Sequence, residues 1–231
     1  VATKLALNNY HHGKDMVIYN FEIVEEHPDN KRFLADCEEW FGQEIITIGN
    51  DNFDRSAHKV FRDTRFLVGP SGARCTGELK KAMRWEVGLP DDHIVMGYTR
   101  EEQHRVDRLQ MSEPLLNMWN ILIERDLSRE DVMAVFERTG IEPPAMYKLG
   151  YKNNNCIGCV KGQAGYWNKI RVDFPERFAE MAAIERELGR QICKREWTDE
   201  NGDRQLERIY LDELPPDLGN YPKEQEFQCG I

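Results

Sequence analysis

The feature of this sequence that most limits its fold is an alternation of two hydrophobic periods. Short apolar runs at 16–21, 44–48 and 93–97 have the length and composition of buried strands. Other stretches carry helical spacing. Residues 1–12 place Val1, Leu5 and Tyr10 inward and stop at Gly13; in 29–41, Phe33, Leu34, Cys37, Trp40 and Phe41 share a face and Gly42 follows. Residues 100–109 form a strongly charged helix, and Ser128-Arg129-Glu130-Asp131 supplies an N-cap with early acids for another. Strands separated by helices imply right-handed crossovers, so the expected class is α/β with a doubly wound, mostly parallel sheet.

Pro143-Pro144 marks a break, and 166–192 reads as mostly helical, interrupted near Pro175, which suits a first helical turn. Residues 196–210 resemble a hairpin turning at Asn201-Gly202, and the tail after Pro215-Pro216 is expected to be extended. The 231 residues suffice for one substantial core. The expected division is an α/β domain over 1–195 and a hairpin with a cysteine-containing tail over 196–231.

Composition narrows the partners. A formal charge of −10 opposes broad attraction to nucleic acid or an anionic membrane, since phosphate binding depends on Lys and Arg, although a local basic groove remains compatible. No apolar run approaches the roughly 20 residues of a membrane span, and no secretory leader is evident. The expectation is a cytoplasmic protein without a membrane partner. Residue 1 is Val in a stretch that already looks helical, so the natural start is expected upstream.

Six cysteines stand at 37, 75, 156, 159, 193 and 229. A core of this size needs no disulfide framework, and clustered cysteines in a reducing compartment point to metal binding or catalysis. In Asn155-Cys156-Ile157-Gly158-Cys159, two thiols two residues apart can face one metal or cluster because the intervening Gly lets the backbone fold around it. The alternative is a pair of inert thiols. Cys75 lies between a Gly-rich loop and a helix start bearing Lys80 and Lys81, which suits anion binding and an acidified thiol, or equally a buried thiol beside a solvated basic face. Arg100, Arg105 and Arg108 follow the strand at 93–97, where α/β sheets bind ligands. Arg105 with Glu101, and Arg108 with Glu101 or His104, can instead form surface pairs. Cys229 sits beside Gly230 as nucleophile, ligand or incidental thiol, while Cys37 and Cys193 fall in helical patterns and read as structural.

Taken in order, these segments resemble the phosphoadenosine phosphosulfate (PAPS) reductase family of the adenine-nucleotide α-hydrolase-like, PP-loop proteins. Glu26-His27-Pro28-Asp29 looks like the family's E-H-P-E/D motif, and Cys75-Thr76 with Leu79-Lys80 looks like its C-[CT]-x-x-L-[KR] segment. Asn155 to Cys159 followed by Gly165-Tyr166-Trp167 is similar to members common in phages and mobile elements. The family's Thr-Gly after its second strand is replaced by Ile23-Val24, and its S-G-G-x-D-S phosphate loop is expected just before Val1.

The resemblance implies a bound adenine nucleotide (PAPS, APS or ATP), with Lys80, Arg100, Arg105 and Arg108 holding the anion. It also implies a four-iron cluster or zinc on Cys75, Cys156, Cys159 and Cys229. Gln228-Cys229-Gly230-Ile231 looks like the reductases' nucleophile segment, so Cys229 is either nucleophile or fourth ligand. A thioredoxin-like reductant and a homodimer are the implied partners. Two other readings stand beside the reductase: a catalytically silent metal-binding accessory module of a phage or mobile element, and a PP-loop sulfur transferase acting on nucleic acid.

Overall fold

Local chemistry sets most element boundaries in the computed structural model, which describes residues 1–9, 16–70 and 72–224. The elements are α1 (Ala2–Asn9), β1 (Ile18–Phe21), α2 (Asn30–Phe41), β2 (Ile45–Ile48), α3 (Ala57–Thr64), β3 (Val68–Gly69), β4 (Gly72–Ala73), α4 (Arg74–Thr76), a π-helical stretch (Gly77–Lys81) and α5 (Ala82–Val87). There follow β5 (Ile94–Val95), α6 (Gln103–Ser112), β6 (Met118–Trp119), α7 (Ile121–Glu124), α8 (Arg129–Glu137), α9 (Ala145–Lys148), α10 (Ala164–Asp173), α11 (Pro175–Leu188), β7 (Cys193–Thr198) and β8 (Arg204–Ile209).

Gly42, left-handed at φ 70°, ends α2 by donating its N–H to the Glu38 and Glu39 carbonyls. Ser128 caps α8 while the Asp131 carboxylate returns the bond, a reciprocal box that satisfies donors at the helix start. Pro175 occupies the first turn of α11, where no intrahelical N–H is needed. The hairpin pairs Cys193 with Ile209 through Thr198 with Arg204, and Asp199 accepts the Asn201 and Asp203 N–H groups across its turn. Tyr10 and Gly13 lie outside the described residues.

The class is α/β, with about 48% helix and short strand pairs. β5 runs parallel to β6, Ile94 opposite Met118, whereas β3–β4 and β7–β8 are antiparallel; β1 pairs with β2. Among the described residues, every sheet has two strands. No described helix is long and apolar enough to cross a membrane.

Two expectations need correction. Cys193 opens a strand, because Gly189 at φ 64° stops α11 and the Glu185 carboxylate takes the Ile192 N–H. The tail is not extended through its described part. Leu218 N–H bonds back to the Pro215 carbonyl, a 3₁₀ turn forms at Tyr221–Lys223, and Asn168 donates to the carbonyls of Pro215 and Leu218.

Two compact units result. The first comprises Val1–Asn20, Asp29–Ile46 and Val87–Pro143 and holds two apolar clusters, one around Met96, Val106 and Leu109, the other around Ala6, Ile121 and Leu122. The second comprises Phe21–Pro28, Thr47–Glu86 and the chain from Pro144 onward. Its core is built on α10 and α11, whose Trp167, Ile170, Met181 and Ile184 are wholly buried along with Val60 of α3. Each such aliphatic side chain contributes about 1.5–3 kcal/mol on burial, which makes this the firm platform for the loops above it.

Candidate functional site

Four segments of the second unit line one cleft. The β3–β4 ribbon delivers the chain into α4, so Cys75 emerges within the first helical turn, half-buried against the core. The helix then widens over Gly77–Lys81, the kind of π-turn that often marks functional sites because it shifts side chains out of register. Leu79 points into the core at 1% exposure while Lys80 lines the cleft. Thr76, buried, lies in the same wall.

Cys156 and Cys159 line the same cleft. Gly158 at φ +78° makes the turn between them, and an added Cβ there would come within 3.2 Å of Trp167. The Ile157 N–H donates to the Glu25 carbonyl at 2.8 Å, tying the turn to the segment after β1. The Tyr166 hydroxyl accepts the N–H groups of Gly158 and Cys159, both at 3.0 Å, and donates to the Cys156 carbonyl at 3.3 Å. Burial, reinforced by the neighbouring Cys159 and Cys156 thiols, pushes this phenol well above its ordinary pKa and keeps it neutral.

Behind the turn, the segment holding Tyr221 and Glu224 braces α10. Glu224 accepts the Gly165 N–H at 2.5 Å and the Tyr166 N–H at 3.0 Å, capping α10 with a carboxylate where the helix dipole favours negative charge. The Tyr221 hydroxyl accepts the Lys152 N–H at 2.8 Å, and its ring leans on both Tyr166 and Tyr151.

The cleft floor carries a buried acid and an imidazole. The Glu25 carboxylate, 2% exposed, accepts from Ser56 Oγ at 2.6 Å, Ala57 N at 2.9 Å and His58 N at 3.2 Å, holding the N-terminus of α3. His58 Nδ1 lies 3.8 Å from Glu25 Oε1 and 3.7 Å from Glu180 Oε2. Burial lowers the His58 pKa, and the two carboxylates oppose that shift without reversing it.

Of the sequence-derived candidates, Cys75, Cys156, Cys159 and Lys80 come together in this cleft. All five described cysteines stand as thiols. Cys229 lies outside the described residues. Arg100, Arg105 and Arg108 belong to the first unit. Arg100 pairs with Asp126 at 3.3 Å and Glu101 at 3.5 Å; Arg105 pairs with Glu102 rather than Glu101 and stacks on the Tyr98 ring at 4.7 Å; Arg108 is exposed. Sequence reasoning missed Glu25, His58 and Glu224, whose side-chain contacts named above reach across 31 positions or more. Only the Ser56 cap ahead of α3 left a local signal.

Chemically, three thiols beside a lysine make a soft donor set that can bind a thiophilic metal or attack an electrophilic sulfur. Among the described residues, no three His, Cys, Asp or Glu side chains are drawn together tightly enough to hold an ion. No family model matches the chain, and no curated protein or solved structure does.

Proposed function

We propose that the cysteine-lined cleft is the working site of a PAPS reductase-like protein that handles a sulfonucleotide or adenylylated substrate by thiol chemistry. One observation carries this reading: Cys75 and Lys80 come from one segment, Cys156 and Cys159 from another far along the chain, and all four line one cleft. A core alone gives no reason to gather three thiols and a lysine at a surface opening. The parallel β5–β6 pair and the interleaved helices support the finer fold reading, a doubly wound, mostly parallel sheet.

In this reading Lys80 neutralises the anionic substrate, and Cys75, Cys156 and Cys159 are the thiolate donors for a four-iron cluster or zinc, with Cys229 as the fourth. Thiolates select zinc and iron–sulfur clusters, and holding one would require Cys75, Cys156 and Cys159 to draw closer together than they stand here. When bound, the centre would tie the cysteine segments together beside the substrate. Where Cys229 instead acts as the nucleophile, its sulfur attacks the sulfonyl sulfur, the bond to the nucleotide phosphate breaks, and the nucleotide leaves. The resulting cysteine thiosulfonate is then cleaved by a dithiol reductant, which becomes a disulfide as sulfite departs.

Anaerobic purification of the full chain followed by iron, acid-labile sulfide and zinc analysis tests the metal assignment. Stoichiometric metal that is lost in Cys75→Ser and Cys156→Ser is the expected result. A metal-free wild type removes the metal centre, and intact-mass analysis after incubation with PAPS then tests the nucleophile: no thiosulfonate adduct removes the reductase reading as well.

A further inference from the structure

In a capping turn that begins at residue i, the N–H groups of i+2 and i+3 face the side chain of residue i. For the turn beginning at Cys156, those donors belong to Gly158 and Cys159. Both are directed at the Tyr166 hydroxyl, which donates onward to the Cys156 carbonyl. One oxygen thus closes the turn from outside, with its two lone pairs and its proton all engaged. The ring that carries it is 2% exposed and meets Trp167 and Tyr151 edge-on. Ring packing holds it in place, so the turn is supported from outside by a side chain of α10.

We infer that Tyr166 is the positioning residue of the cysteine turn, holding Cys156 and Cys159 as a preformed dithiol suited to a single soft centre that bridges two sulfurs, such as trivalent arsenic. The inference rests on the cleft being the working site and specifies what the pair itself accepts. A pair already oriented loses less conformational freedom on being bridged, which raises affinity without any new contact.

Phenylarsine oxide is the probe. Its arsenic forms two As–S bonds, and its oxygen leaves as water carrying both thiol protons; arsenic stays trivalent and nothing is oxidised. The full chain, reduced and treated with chelator, is titrated, and adducts are mapped by mass spectrometry to the peptide holding both cysteines. Wild type is expected to form the bridged adduct. Tyr166→Phe keeps the ring and is expected to bind about tenfold more weakly, while iodoacetamide alkylation of each thiol singly stays within about twofold of wild type. Equal arsenical affinity in the two proteins overturns the inference. So does a loss matched by equal loss of single-thiol reactivity or of a cooperative melt, since that reduces Tyr166 to packing. Amide hydrogen exchange on wild type gives a test free of any variant: Gly158 and Cys159 are expected to be protected, and exchange at the rate of exposed loop amides overturns the inference. Metal content is measured separately. An iron- and zinc-free protein with Tyr166-dependent arsenical binding would remove the proposed metal centre and leave this inference standing.

Discussion

The main-chain N–H of Ile157 donates to the carbonyl of Glu25 at 2.8 Å, while the Glu25 carboxylate holds the first turn of α3. One residue thereby links the cysteine turn to the helix that carries His58. Glu25→Ala leaves buried donors at Ala57 and His58 without their acceptor and is expected to lower stability by about 3 kcal/mol. Urea denaturation measures this; a loss under about 1 kcal/mol would contradict the role given to the carboxylate.

Gly165 sits where the segment around Asn220 and Tyr221 crosses α10. A Cβ at this position would lie 2.5 Å from the Tyr221 nitrogen and 2.8 Å from the Asn220 nitrogen, both main-chain atoms with little room to yield. Gly165→Ala is therefore expected to displace the segment around Tyr221 and Glu224 from α10. Limited proteolysis would show new cleavage in that segment, and unchanged resistance would rule out the close approach.

Glu185 is wholly buried, and burial raises its carboxyl from 4.5 to about 7 even though it accepts the N–H groups of Ile192 and Leu211. Because the folded state binds this proton more tightly than the unfolded state, its contribution to stability is complete below pH 4.5 and is lost as pH rises through about 7. The contribution is at most about 3 kcal/mol. Comparing melts of wild type and Glu185→Gln at pH 5 and pH 8 isolates it: wild type should lose more stability over that interval than the variant, and parallel profiles would refute the assignment.

Cys193 and the cleft cysteines should differ in reactivity. Burial, with help from Glu185, pushes the Cys193 thiol up to about 12, so at pH 8 only about one molecule in ten thousand carries the thiolate. Iodoacetamide mapping of the reduced, chelator-treated chain at pH 8 is expected to mark Cys75, Cys156 and Cys159 and to spare Cys193. Labelling of Cys193 at a rate equal to the others would show that the base of β7 opens.

The sequence made the cysteine segments visible because their chemistry is local: a Gly between two cysteines, or a cysteine followed by paired lysines, stands within a few positions. The α2, α8 and α11 boundaries were legible for the same reason, each marked by a Gly, a Ser-to-Asp box or a Pro. Strand β6 has only two residues, too few to set up any period, and it was not anticipated. The apolar pattern of α11 continues past the point where Gly189 turns the chain, which is why spacing alone assigns Cys193 to a helix. Glu25 gave no sign of its role, since its partners lie more than thirty positions away and no spacing rule reaches that far. Tyr166 stood in a legible motif, but its grip on the turn depends on how α10 folds back, which no linear pattern encodes.

The cap that Glu224 places on α10 also has a consequence in time. The chain is made from its N-terminus, and 59 positions separate Gly165 from Glu224. At roughly 5–20 residues per second, Gly165 leaves synthesis roughly 3–12 s before the residue that braces it, and the cysteine turn leaves earlier still. During that interval the newborn thiols lack their final support, so whatever meets them first, whether metal, oxidant or chaperone, meets a looser pair than the finished protein presents.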